Sequence, residues 1–469
     1  MSLRDRIAQS AQSSPQPAAT PPPESASLPA TEPARLKTGA LASDDYVRLK
    51  KWLLGKIAGR PEDQADLRRT PAVTQMLRER FDLVFGQAGV NLPGEVVNAL
   101  FEEVVDEIVG YGPIEKLLGD STVTEVMVNS AKQVYVERKG KLVLSDVTFE
   151  DDDHIERVIE RILHPLGRRV DRKLPMADAR LPDGSRVNII IPPSAIDGPT
   201  ITIRKFSTKK LIVEDLISFG SMTPEIAEFL RACVVSRLNI VVSGGTGSGK
   251  TTLLNVLSSM IPEDERVITL EDSAELQLHQ PHVVRLEARP PDPDGTGGET
   301  IRDLMKNSLR MRPDRIVVGE IRSGEALDML QAMNTGHDGS LTTLHANNPR
   351  EAIARIETMS LMGGLEIPLK VIRESVAKAV DMIVQQARLD DGSRKITYIT
   401  EVSGMEGESV VTQDIFKYDP TLGPDGQPRG MKPTGLRPFF TPRLESHGFK
   451  LPPEIFGASA ADITSSRRR

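Results

Sequence analysis

A single cysteine, Cys233, in 469 residues rules out an intrachain disulfide framework and fits a reducing cytoplasm. It follows a helical run and reads as a packing residue. No apolar run approaches the length of a bilayer span, and the N-terminus lacks a secretory apolar region. Any membrane association is therefore expected to go through a partner. Aromatic residues make up only 4% of the chain, which points to aliphatic cores of the kind found in parallel α/β sheets. Positive charge is not in excess. The net charge of −7 offers no global attraction to nucleic acid or anionic lipid, although local basic patches remain open. The rest, 39% hydrophobic and 27% charged, is the composition of a soluble globular protein with room for two to four domains.

The most informative stretch is Gly244-Gly245-Thr246-Gly247-Ser248-Gly249-Lys250-Thr251-Thr252. It follows the apolar run Leu238-Asn239-Ile240-Val241-Val242 and precedes a helix-compatible segment, so it has the strand–turn–helix context of a phosphate site. Glycines let successive N–H groups converge on phosphate oxygens, and the helix N-terminus adds positive potential. Lys250 is placed to reach the β- and γ-phosphates, and the Thr251 hydroxyl to ligate Mg²⁺. ATP and Mg²⁺ are the expected ligands.

Composition and periodicity divide the chain. Residues 1–42, rich in Pro and Ala around Pro21-Pro22-Pro23, read as a disordered arm. Residues 43–110 carry three amphipathic patterns, starting at Ser43, at about Val73 and at Gly94, and read as a helical bundle. Residues 111–208 alternate short strands with one helix, an α+β domain ending at the polar joint Ser207-Thr208-Lys209-Lys210. From 209 to 412 strand, loop and helix alternate, the pattern of a parallel sheet. Its core strands are expected at Ile240–Ser243, Val267–Leu270, Arg315–Val318 and Ser340–Leu344, with a closing hairpin around Asp390-Asp391-Gly392-Ser393. Residues 413–469 are expected to be loop-rich and end in Arg467-Arg468-Arg469.

Several polar residues fall where such a sheet gathers its ligands, beyond the carboxyl ends of the strands. Val267–Leu270 runs into Glu271-Asp272, and Glu271 is favoured as the general base for water attacking the γ-phosphate. Ile316-Val317-Val318 runs into Gly319-Glu320, with glycine where many phosphate-loop ATPases hold a magnesium-ordering aspartate. Glu320 can bind a magnesium-bound water or polarise the attacking one. The stretch Thr335–His345 contains two histidines without metal-ligand spacing. His337, in a glycine-flanked turn, is taken as a γ-phosphate sensor and His345 as the weaker candidate. Arg180, Arg186 and Arg204 alternate with apolar strand residues of the α+β domain, and arginine from such a lobe can offset developing γ-phosphate charge.

These motifs in this order resemble the type II/type IV secretion ATPase superfamily, and most closely the CpaF family of Flp (tight-adherence) type IV pilus motors. The resemblance runs from about Phe101 to Phe456. It rests on Gly110-Tyr111-Gly112-Pro113-Ile114, Arg180–Arg186, Phe219-Gly220-Ser221-Met222, Leu309–Asp314, the Glu271-Asp272 acidic box and the Gly336–His345 histidine box. It also makes Gly319-Glu320 an ordinary variant of its family. The resemblance implies a RecA-like ATPase domain preceded by a PAS-like α+β domain, assembled as a homohexamer with nucleotide between the two. It further implies coupling to inner-membrane platform proteins, a cytoplasmic location at the inner membrane, and lobes that turn about the Phe206–Leu211 joint.

Two other readings stand beside it. A DNA-translocating RecA-like ATPase or conjugative homologue is weakened by the acidic balance and scarce stacking aromatics. A GTP-dependent switch lacks the Asn/Thr-Lys-x-Asp guanine-reading pattern.

Overall fold

The computed structural model describes residues 43–58, 69–138, 140–206, 210–291, 296–422 and 428–457. The proline-rich arm, the joint residues Ser207-Thr208-Lys209 and the Arg467–Arg469 tail lie outside them. Two compact units divide near Glu115.

The first unit holds three helices, α1 (Ser43–Ile57), α2 (Pro71–Gln87) and α3 (Gly94–Val109). Helix α2 starts two residues before its hydrophobic pattern does. Thr70 caps it by accepting from the Val73 amide at 3.3 Å, and Pro71 fits the first turn because no N–H is needed there. Leu53, Leu77, Phe81, Leu100 and Val104 form the core, with Phe81 and Phe101 edge to face at 5.3 Å. Leu83, part of the expected apolar pattern, is 67% exposed. A short helix, α4 (Glu115–Gly119), leads on.

The second unit contains two sheets. The smaller lobe has β1 (Val123–Ser130), β2 (Gln133–Arg138), β3 (Lys141–Leu144), β4 (Met176–Arg180), β5 (Arg186–Ile190) and β6 (Thr200–Arg204), with α5 (Asp152–Leu163) after β3. All pairings are antiparallel, in the order β3-β2-β1-β6-β5-β4. Period-two alternation buries Val126, Val128, Val187, Ile189, Ile201 and Ile203 on one face. The other face carries Arg186 opposite both Arg180 and Arg204, and Arg204 opposite Glu125.

The larger lobe starts with α6 (Val213–Ser218) and α7 (Pro224–Val235). It continues with β7 (Ile240–Gly244), α8 (Lys250–Ser258), β8 (Val267–Glu271), β9 (Val283–Glu287), α9 (Ile301–Ser308) and β10 (Arg315–Val318). Then follow α10 (Glu325–Asn334), β11 (Leu341–Leu344), α11 (Pro349–Leu361), α12 (Leu369–Ala379), β12 (Met382–Arg388) and β13 (Arg394–Glu406). The chain closes with β14 (Ser409–Leu422), β15 (Pro428–Pro433) and α13 (Thr441–Ser446). The nine strands run β15-β14-β13-β12-β7-β11-β10-β8-β9, parallel from β12 to β9. Helices cover both faces, which is why β7, β8, β10 and β11 are buried along their whole length. The α/β class expected from the sequence is the class observed.

The sheet does not stop at the β12–β13 hairpin, and the segment after 413 is not loop-rich. Val410, Val411, Ile415 and Phe416 carry β14 out of a tight turn at Gly407, which has φ +60°. Prolines do not forbid β15 because it is the edge strand, where a missing N–H costs no ladder bond. A further strand, β9, joins the sheet beside β8, outside the four core strands expected from the sequence. It is short and half exposed, and its register with β8 supplies what its composition does not.

Candidate active site

Strand β7 delivers its last buried residue, Gly244, into the loop 245–249, and α8 begins at Lys250. Gly247 and Gly249 adopt φ of +70° and +95°, which only glycine takes without strain. A Cβ on Gly244 would strike the Gln386 carbonyl oxygen of β12, so β7 can pair here only as glycine. Ser248 Oγ donates to the Gly245 carbonyl at 2.9 Å and closes the turn. Lys250 is buried, and its Nζ donates to the Gly245 carbonyl at 3.1 Å. Burial lowers the lysine's pKa, a pull opposed by the Glu320 carboxylate and aided by Arg322 and Arg204.

The same Nζ lies 3.2 Å from His345 Nδ1, and His345 Nε2 lies 2.9 Å from Glu320 Oε1, at ion-pair distance though without hydrogen-bond alignment. Burial first, and Lys250 next, keep His345 below the ordinary imidazole pKa, so the ring is neutral at neutral pH. A neutral ring between an ammonium and a carboxylate accepts at Nδ1 and carries its proton on Nε2. Arg322 completes the group, with Nε 2.9 Å and Nη2 2.5 Å from Glu320 Oε2 and Nη1 3.4 Å from Asp272 Oδ2.

His337 is not part of this arrangement. It precedes β11, whereas His345 follows it, and β11 runs parallel to β7 with Leu341 beside Ile240 and Leu344 beside Ser243. Four residues of strand span roughly 13 Å, which puts His337 at the sheet edge opposite the glycine loop. Of the two histidines, the structure places His345, and not the expected His337, beside Lys250 and Glu320. The signal was available in the strand's direction, since ligands collect where parallel strands end.

Glu271, 3% exposed at the end of β8, has one carboxylate oxygen fully engaged. Oε2 accepts from the Glu275 amide at 2.7 Å and the Leu276 amide at 3.0 Å, while Oε1 has no partner. Burial outweighs the two N–H bonds and pushes its pKa up to about 7. Gly319 explains itself here. A Cβ on it would come within 2.9 Å of Glu271 Cγ, so the buried glutamate occupies the space an aspartate at 319 would need. Glu271 does not line the cavity described next, whereas Glu320 does.

That cavity, about 780 Å³, lies between the two lobes of the second unit. The smaller lobe contributes Arg180, Arg186 and Arg204, and the larger contributes Thr246, Gly247 and Gly249–Thr252. Arg180 donates to Ser273 Oγ at 3.0 Å and Glu287 Oε1 at 2.6 Å, and Arg186 to Glu275 Oε1 at 3.0 Å. Arg204 stands 3.9 Å from Glu125. The hairpin loop between β4 and β5 fixes this row. Asp183 accepts from the Ser185 hydroxyl at 2.7 Å and amide at 2.9 Å, Ser185 Oγ accepts from the Phe206 amide at 3.1 Å, and Gly184 packs against the Phe206 ring at φ +92°. Three like charges side by side are unfavourable on a sheet face unless anions offset them, and each has turned to a carboxylate. Gln386 and Arg394, from β12 and β13, also line the cavity, and no motif singles them out.

The donor set suits Mg²⁺ bound through a triphosphate. No cluster of three ligating side chains occurs among the described residues, and a hard cation of this kind needs only a hydroxyl such as Thr251, phosphate oxygens and waters held by a carboxylate.

Residues 107–413, nearly two thirds of the chain, match the family described as "Type II/IV secretion system protein". The conjugal transfer protein TrbB of Rhizobium radiobacter is 36% identical over 64% of this chain and 90% of its own length. The type IV secretion system protein VirB11 of Bartonella quintana is 32% identical over 61% of this chain and 90% of its own. Among solved structures, the VirB11 ATPase of the Brucella suis type IV secretion system is 31% identical, covering 61% of this chain and 94% of that one, with a TM-score of 0.34. The chain belongs to the type II/IV secretion ATPase superfamily and is an ATPase.

Proposed function

We propose that this chain is a Mg²⁺-dependent motor of a cell-envelope machine, and specifically the homohexameric ATPase that powers assembly of Flp/Tad pili through inner-membrane platform proteins. One observation carries the motor reading: the glycine loop and the arginine row face one cavity from two different lobes. A ligand bridging them couples its own cleavage to the angle between the lobes. The pilus assignment rests on the motifs at 110–114, 180–186, 219–222 and 309–314. The named relatives favour a conjugation or secretion role equally, and the two share this chemistry.

In the mechanism we assign, Lys250 leaves the Gly245 carbonyl for the phosphates, which the amides of Thr246–Thr252 cradle. Thr251, with Glu320 through water, would hold Mg²⁺, which when bound neutralises charge on the β- and γ-oxygens. Glu271, ionising near neutrality with Oε1 unpaired but outside the cavity lining of this structure, becomes the base that takes the proton of the attacking water once the lobes close on the nucleotide. His345 holds Glu320 and Lys250 in register, and the row of Arg180, Arg186 and Arg204 offsets the charge developing on the γ-phosphate. The joint beyond Phe206 is where the lobes would turn.

Steady-state ATP hydrolysis by the purified protein, compared with Lys250→Ala, tests the site. The variant should fold and lose turnover; wild-type turnover in Lys250→Ala would refute the assignment. Loss of surface pili in the host strain carrying that variant separates the pilus reading from conjugation, which would instead lose DNA transfer.

A further inference from the structure

Five arginines line the nucleotide cavity: Arg180, Arg186, Arg204, Arg322 and Arg394. The first four each have a carboxylate within 4 Å, from Glu287, Glu275, Glu125 and Glu320. Arg394 has none among the described residues. Its Nε donates to the Gly247 carbonyl at 3.0 Å, in the glycine loop itself, and neither terminal nitrogen has a partner among the described residues. The side chain is exposed to the cavity, so its guanidinium is hydrated here and available to pair with an anion that enters.

The placement is built. Arg394 opens β13, and its carbonyl accepts from Ser221 Oγ at 2.6 Å while the Ile396 amide donates to the Ser221 carbonyl at 3.0 Å. Gly249 leaves room for its stem, since a Cβ there would lie 3.1 Å from Arg394 Cδ. Beside it stands Gln386, 3% exposed, whose Oε1 is buried without a donor on the same cavity wall. The Gln386 oxygen is sealed from the cavity, so the terminal nitrogens of Arg394 are what this wall offers a ligand, and they suit anionic oxygens.

Strand order says which part of the ligand that is. His345 follows β11 and Glu320 follows β10, both on one side of β7, and they mark the γ-phosphate side. Arg394 and Gln386 belong to β13 and β12, on the other side of β7. We propose that Arg394 binds the portion of the phosphate chain that ATP and ADP share. Arg394 therefore acts in the same subunit as the glycine loop and does not discriminate between the two nucleotides. This rests on the glycine loop being the nucleotide site.

The test uses the full-length protein with Mg²⁺ and compares ADP and a non-hydrolysable ATP analogue by calorimetric titration. Arg394→Gln should weaken both by about the same factor, tenfold to a hundredfold, as expected for one lost hydrogen-bonded charge. Arg394→Lys, which keeps the charge, should lose less, and the melting temperature of the nucleotide-free protein should not move in either variant. ADP affinity within twofold of wild type in Arg394→Gln overturns the proposal. So does an equal loss in Lys and Gln variants with lowered melting temperature, because that marks a loop latch. Lys250→Ala is titrated in parallel. If it binds ADP normally, the site itself is misassigned; if it fails to bind while Arg394→Gln binds normally, only the role of Arg394 is wrong.

Discussion

Replacing Gly319 by alanine adds one methyl group at the place where many phosphate-loop ATPases carry an aspartate, and the structure says it will be damaging. The new Cβ would sit 2.9 Å from Glu271 Cγ, a separation real Cβ atoms essentially never show. Glu271 cannot retreat cheaply, because two amide bonds at 2.7 and 3.0 Å and full burial fix its carboxylate. Overpacking of this kind costs roughly 1–3 kcal/mol. If the strain is relieved by moving Glu271, a displacement near 1 Å lowers turnover about a hundredfold. Differential scanning calorimetry and steady-state ATP hydrolysis read the two outcomes. One should change, and Gly319→Asp should be worse than Gly319→Ala on both counts even though it supplies the missing aspartate. A double variant, Gly319→Ala with Glu271→Ala, should melt no lower than Glu271→Ala alone, since the clash has lost its second atom. Wild-type melting and wild-type turnover in Gly319→Ala would refute the reasoning.

Two further outcomes follow from the site. Glu271 ionises near pH 7 in the folded protein against an ordinary 4.5, so turnover should fall about tenfold per pH unit below 7 and level off above it. Glu271→Gln should flatten that limb while retaining nucleotide binding. Because the folded pKa is raised, the protonated form stabilises the fold at low pH, and that contribution, up to about 3 kcal/mol, is lost between pH 4.5 and 7. The Gln variant should therefore gain in melting temperature over wild type as pH rises through this window. The histidines give the second outcome: His345→Ala should cut turnover at least tenfold, and His337→Ala should leave it within twofold of wild type. The reverse ranking in the same hydrolysis assay would mean that the sheet direction has been misread.

What could be read from the sequence depended on whether local chemistry was enough. The glycine loop was legible because Gly247 and Gly249 need left-handed backbone and Lys250 needs a helix start, all within nine residues. The arginine row was legible in part: alternation put Arg180, Arg186 and Arg204 on strands, and cross-strand register then aligned them. The role of Gly319 was not legible, because its reason is a side chain arriving from β8. The same holds for His345, whose worth depends on which end of β11 faces the loop, and for Arg394, which reaches Gly247 from 147 residues away. Strands β9 and β14 were missed for a related reason, since pairing partners rather than composition hold them in the sheet.

The central claim is that nucleotide binding and cleavage at the seam move the smaller lobe against the larger. Spin labels at Leu166→Cys and Leu361→Cys, both exposed and one in each lobe, report that movement directly by electron–electron distance measurement. Cys233 is buried, with its thiol pKa pushed well up, and will not compete for label. With labelled subunits diluted among unlabelled ones, the distance distribution should shift between nucleotide-free, ATP-analogue and ADP states. One unchanged distribution in all three states, from a protein that still hydrolyses ATP, would contradict the account.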